Sequence, residues 1–190
     1  MKEIFLYILA MSVFHFAQAQ MTPAKDQSKP IIIIGATAHI GNGTVIENSA
    51  IAFDKGKITF IGKATDRKTD GFQIINATGQ HVYPGLIAPQ TRLGLVEIGA
   101  VRATRDYAEV GGFNPNVRAI IAYNTDSKIT PTVRSNGVLL AEITPKGGRI
   151  SGQSTVVQLD AWNWEDAAHA TDNGIHLNWP RFFKRTGWWS

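Results

Sequence analysis

Four β-branched runs set between glycine turns constrain this chain more than any other feature. Residues 31–34, 44–46, 51–53 and 58–61 are rich in Ile, Val, Thr and Phe, and between them stand Gly41-Asn42-Gly43 and Asp54-Lys55-Gly56. Short strands at intervals of about eight to twelve residues, punctuated by Gly with Asn or Asp, predict an antiparallel unit built of hairpins. The segment FQIINATGQHVY, with Gly79 at its turn, predicts a further strand pair. Residues 31–84 therefore read as one small all-β layer.

The pattern changes after Tyr83-Pro84-Gly85. GLIAPQTRLGLVEI begins as an apolar strand of the fully buried kind and runs into a loop. VRAIIAYNT predicts two helical turns with Val117, Ile120 and Ile121 on one face, and Asn136-Gly137 introduces a buried strand over 138–143. A helix between two buried strands has the cadence of a βα unit feeding a parallel sheet. STVVQLDAW predicts another strand. A closed eight-stranded α/β barrel needs roughly 250 residues, and the chain has 190. Any barrel is therefore a partial one.

The first 19 residues, MKEIFLYILAMSVFHFAQA, place Lys2 before an apolar stretch and end in A-x-A at Ala17 and Ala19. This is the layout of a cleaved secretory signal, too short to span a bilayer as a helix. Residues 20–30 read as a flexible lead-in. The mature chain is expected in the periplasm or outside the cell, off the membrane once the signal is removed. With no cysteine, it has neither disulfides nor thiolate chemistry. A net charge of +4, scattered except for Arg181, Lys184 and Arg185, argues against a nucleic-acid partner.

Several motifs invite a functional reading and fail on context. The glycine-rich stretch 35–43 leads into another strand, where a phosphate loop would need a helix N-terminus. In PKGGRISGQST, Gln153 stands where a phosphate loop carries lysine, and a strand follows. A sharp turn between strands accounts for it. His39, His81, His169 and His176 include no H-x-H and no H-E-x-x-H, so no pair is placed locally to chelate an ion. Asp166 and His169 are expected as helix neighbours, a surface pair. No G-x-S-x-G elbow names a nucleophile. Asn42-Gly43-Thr44 and Asn76-Ala77-Thr78 match the glycosylation acceptor, which matters only in a eukaryotic secretory host. All five Trp fall between Trp162 and Trp189. Such an aromatic end implies either packing on further chain or a surface for a ligand or partner.

The run IIIIGATAHIGNGTVIENSAIAFDKGKITFIG, followed by HVYPGLIAPQTRLGL, resembles the N-terminal part of the amidohydrolase superfamily, of the imidazolonepropionase-like kind. Gly79, Val82, Pro84, Gly85, Leu86 and Ile87 match that signature as they stand. The resemblance implies an α/β fold. In it a small β-sandwich, a composite domain over 31–84, precedes the first strands of an incomplete TIM-like (β/α)8 barrel over 85–190. The missing C-terminal half, or a partner chain, would complete both.

It further implies a hydrolase of C–N bonds other than peptide bonds in small or cyclic amides, with a divalent, zinc-type metal in the complete protein. Where such proteins carry the H-x-H ligands, this chain has Gln90-Thr91-Arg92. A guanidinium has no lone pair to donate and stays charged. No residue here is therefore named as metal ligand or catalytic group. Gln90 and Arg92 remain as candidates for binding an anionic part of a small-molecule amide, with an internal carboxylate as the alternative partner for Arg92. The competing reading is a non-catalytic exported pseudoenzyme or ligand-binding protein that uses its Trp-rich surface.

Overall fold

A computed structural model describes residues 22–180. The segment expected to act as an export signal, the basic cluster Arg181, Lys184 and Arg185, and the aromatic residues beyond Trp179 lie outside the described residues. Two sheets organise the rest, as an α/β fold with an all-β layer first and strand–helix–strand connections second. No helix among the described residues is long and apolar enough to cross a membrane.

The first sheet holds β1 (Ile31–His39), β2 (Val45–Asp54), β3 (Lys57–Lys63), β4 (Gln73–Asn76) and β5 (His81–Val82). β1 is central. It pairs antiparallel with β2, which pairs with β3, through the turns read from the sequence. The segment predicted as a further hairpin behaves differently: β4 and β5 do not pair with each other but run one after the other, both parallel to β1. The turn between them is a jog. Asn76 Oδ1 accepts from the Thr78 N–H at 3.0 Å and the Thr78 hydroxyl at 2.7 Å, an Asx turn that shifts the chain sideways without reversing it. Gly35 sits opposite the jog at φ +82, and a Cβ there would lie 2.4 Å from Thr78 Oγ1. Glycine is needed where β1 changes partner from β4 to β5.

One face of this sheet buries Ile32, Ala50 and Ala52, with Ile34, Phe60, Ala64 and Phe72 packed against them. Register places Ile61, Ile51, Ile33 and Ile75 in one row across the opposite face, where Ile61 and Ile75 remain about two-fifths exposed. The layer is a single sheet, the incomplete form of the sandwich that the resemblance implied.

The second sheet is ordered β6 (Leu86–Thr91), β7 (Val138–Ile143), β8 (Ile150–Gln158), β9 (Ala168–Leu177). β6 and β7 are parallel, joined through a long connection that ends in helix α1 (Ile129–Ser135). This is the predicted βα crossover, although its helix falls later than expected. Around Ile120 there is one 3-10 turn over 119–122, which buries Ile120 fully and leaves Ile121 58% exposed. Residues 117, 120 and 121 do not share a face.

β8 occupies the predicted strand position but runs antiparallel to β7, as β9 does to β8, because the short turn over 144–149 reverses the chain. A six-residue link cannot make a parallel crossover. Among the described residues the second sheet therefore holds one parallel pair, β6 with β7. β6, predicted as fully buried, is the sheet edge, and Leu86 and Ile87 are about three-fifths exposed. Pro89 lies on it, where its missing N–H does not interrupt the sheet interior.

The main core lies here: Leu95, Ile120, Tyr123, Ile143, Val157 and Leu159 close over one face of the sheet. Helix α2 (Trp164–Ala167) starts at Asn163, whose side chain accepts from the Asp166 N–H at 2.8 Å. It ends before His169, the second residue of β9 (Ala168–Leu177), so Asp166 and His169 are not helix neighbours as expected.

Candidate substrate pocket at the strand ends

Because β6 and β7 are parallel, their C-terminal ends reach the same rim of the sheet. Open α/β sheets bind ligands at that rim. β6 is deformed as it arrives. Its register slips between Ala88 and Thr91, and Gln90 stands at φ +52, a left-handed conformation that costs a non-glycine residue about 1–3 kcal/mol.

The neighbouring strand supplies the restraint. Glu142 Oε2 accepts the Gln90 N–H at 3.4 Å, while its Oε1 accepts from Ser154 Oγ at 2.9 Å and Asn173 Nδ2 at 3.0 Å. Partial burial pushes the Glu142 pKa up. The hydrogen bonds from Asn173, Ser154 and the Gln90 backbone, with the charge of His176, outweigh it and hold the carboxyl below the usual range. Thr91 is pinned as well: its hydroxyl donates to the Glu142 carbonyl at 3.1 Å, and its own carbonyl accepts the Thr144 N–H at 2.8 Å.

Gln90 and Arg92 flank this fixed residue and both line one cavity of about 360 Å³. Lys146, Ser151, His176 and Asn178 are among its other lining residues. Arg92 and Lys146 share it with His176 and with neutral hydrogen-bonding groups. Asn178 secures the glycine turn that carries Lys146, donating to the carbonyl of Gly148 at 2.9 Å and to Ser151 Oγ at 2.8 Å. The turn dismissed as a phosphate loop is thus structural and forms a wall of the pocket. Among the described residues no carboxylate pairs with Arg92; its guanidinium lies 5.1 Å from the centre of the Tyr107 ring. That stacking leaves the edge N–H groups free for hydrogen bonding.

A larger cavity of about 530 Å³ opens beside Ala88, Leu93, Val96, Ile129 and Val133. It is mainly apolar, is walled by the long connection and helix α1, and is also lined by Arg92, Glu97 and Arg105. The smaller, donor-lined space at the strand ends is the chemically equipped one.

Sequence reasoning placed Gln90 and Arg92 at this rim and missed Lys146, His176 and Asn178. The antiparallel return of β8 and β9 brings those three to the rim, and no local signal announces it. The residues present do not fit a metal ion. Among the described residues no three His, Asp or Glu side chains converge, and the two positions in question carry an amide and a guanidinium.

No family model matches the chain, and no curated protein matches it. Solved structures do. The chain superposes on an amidohydrolase from Thermotoga maritima MSB8 with a TM-score of 0.71 at 20% identity, covering 77% of this chain and 38% of that one. Molinate hydrolase gives a TM-score of 0.41 at 19% identity over 60% of this chain and 24% of its own. D-hydantoinase gives 0.32 at 29% identity, over 38% and 15%. The last two likenesses are too slight to carry argument. The first shows the fold alone: the chain has the architecture of part of that amidohydrolase structure and spans about two-fifths of its length.

Proposed function

We propose that this chain is the substrate-binding, N-terminal part of an exported hydrolase acting on non-peptide C–N bonds of small or cyclic amides that carry an anionic group. The observation that carries the reading is the cationic cavity at the C-terminal ends of the parallel strands, within an amidohydrolase fold. Its division would fall near residue 85, with the all-β unit over 31–84 and the partial barrel over 85–190. The leader over 1–19 would direct it to the periplasm or the medium.

Arg92 and Lys146 supply charge, Gln90 and Asn178 neutral donors, and Arg92 offers a carboxylate a paired, planar contact. Glu142 acts through Gln90, holding the left-handed backbone that aims both side chains into one space. No residue here is assigned to proton transfer or nucleophilic attack. In a hydrolase of this fold a zinc-type metal would come from ligands outside this chain, and no step is derived through it.

The test is binding of an N-acyl amino acid and of its neutral methyl ester, followed by calorimetry at low and moderate salt. Preference for the free acid, lost in Arg92→Ala and Lys146→Ala, supports the reading. Equal binding of acid and ester, or acid binding untouched by both substitutions, overturns it.

A second reading is favoured by Arg92 itself, which stands where a metal donor is expected: an exported, non-catalytic binding protein using the same pocket. Metal content and amide hydrolysis of the complete gene product separate the two. A metal-loaded, active protein removes the second reading, and a metal-free, inactive protein that still binds the acid removes hydrolysis from the first.

A further inference from the structure

On the first sheet, two histidines distant from each other in sequence meet. β1 and β5 pair in parallel with Thr37 opposite His81 and Ala38 opposite Val82, which carries His39 alongside His81 although 42 positions separate them. His39 Nε2 and His81 Nδ1 lie 2.9 Å apart. The Tyr83 ring stacks on His39 with centroids 4.3 Å apart and an interplanar angle of 9°, which fixes the imidazole plane. Both histidines stand on strands of the same sheet, so their backbones are held by the ladder.

We propose that His39 and His81 form a surface site for a late first-row divalent cation, Cu2+ above Ni2+ and Zn2+. An imidazole nitrogen binds such ions at about 2.0–2.1 Å. Two donors on one ion are then roughly 3 Å apart. The two nitrogens already stand 2.9 Å apart as a hydrogen-bonded pair, so the rings must turn to aim both lone pairs at one ion, and the affinity order for nitrogen ligands places Cu2+ first.

Without metal, one ring donates its N–H to the other. Binding requires both rings neutral, His39 carrying its proton on Nδ1 and His81 on Nε2, so that Nε2 of one and Nδ1 of the other present lone pairs. The proton on His39 moves from one ring nitrogen to the other and nothing is oxidised or reduced. Water fills the remaining positions. The site is independent of the rim pocket and of any metal in a complete enzyme.

The experiment is a titration of the full chain with copper sulfate in a non-coordinating buffer at pH 7.5. It is read by calorimetry and by electron paramagnetic resonance, and repeated with His39→Ala, His81→Ala and the exposed control His169→Ala. The expected result is one strong equivalent with nitrogen hyperfine structure, weakened about 10-fold or more in each of the first two variants and unchanged in the control. Copper affinity unaltered by both substitutions, or no binding, overturns the site. Should a variant fail to fold, imidazole NMR of the unsubstituted chain decides. Paramagnetic broadening must reach His39 and His81 before His169 and His176, and the reverse order overturns the proposal.

Discussion

The two sheets of this molecule differ in how they come by their cohesion. The first pairs β1, β2 and β3 through short turns and adds β4 and β5 to β1 from farther along the chain; its core cluster holds the buried Ile32, Ala50 and Ala52, and Ile58, Ile61, Ile74 and Ile75 are two-fifths to two-thirds exposed. The second joins strands from opposite ends of a long connection and closes nine buried residues into one cluster. The sheet with the smaller buried cluster thus has little to bury, and the sheet covered by the long connection anchors the fold. Burial contributes about 25 cal/mol per Å² of apolar surface, so the second sheet should carry more of the stability.

The sharpest break of that contrast is a matched pair of truncations. Ile143→Ala, at a fully buried position of β7, is expected to cost about 2–5 kcal/mol. Ile58→Ala, two-thirds exposed on β3, should stay within about 0.5 kcal/mol. Urea titrations of both variants check this, and equal losses would end the comparison.

A smaller effect separates backbone strain from packing inside the first sheet. Gly35→Ala and Gly56→Ala both place a side chain at positive φ, but only the former meets an atom, Thr78 Oγ1 at 2.4 Å. Each should lose about 1–2 kcal/mol from conformation alone. Thermal melts should show a further loss for Gly35→Ala, and a pair of identical shifts would mean that the β1 bulge yields freely.

These contrasts bear on what the sequence could disclose. The hairpins of β1, β2 and β3 were legible because Asn, Asp and Gly at the turns determine strand pairing over a few residues. The parallel course of β4 and β5 was not, since the Asn76 turn looks the same whether it reverses the chain or merely shifts it. The strand at β7 was legible from its apolar run. The exposure of β6 was not, because a run that fits a barrel interior carries no mark of whether neighbours are present. In the pocket, Gln90 and Arg92 were found through their place in a family-like segment, whereas Lys146 and His176 depend on the antiparallel return of β8 and β9.

Glu142 offers a test on the second sheet with a pH signature. Its pKa is lowered on folding, so it stabilises the fold above the ordinary carboxylate range, and that contribution disappears as pH falls through the folded value. Glu142→Gln should cost about 1–3 kcal/mol near neutrality and flatten the acid side of the stability profile, measured by urea midpoints from pH 7 downward. An unchanged acid limb would remove Glu142 as the restraint on Gln90.

The smallest effect belongs to Arg118, which pairs with Asp172 through Nε at 2.7 Å and Nη2 at 2.9 Å. Both side chains are more than two-fifths exposed, so Arg118→Ala should change stability by no more than about 1 kcal/mol. The difference should shrink in high salt. A larger, salt-insensitive loss would show that this link between the long connection and β9 belongs to the core.

The position of β1 also governs the order of events during synthesis. Its partner β2 is complete at Asp54, but β4, which covers the other side of residues 31–34, ends only at Asn76. At about 5–20 residues per second, translating the intervening 22 residues takes roughly 1–4 s. Throughout that interval an isoleucine-rich strand offers a row of unpaired amides and carbonyls to any nascent chain nearby. The strand at the centre of the finished sheet is the one that waits with an open side, and expression at low temperature or with a holdase chaperone should raise soluble yield through that window.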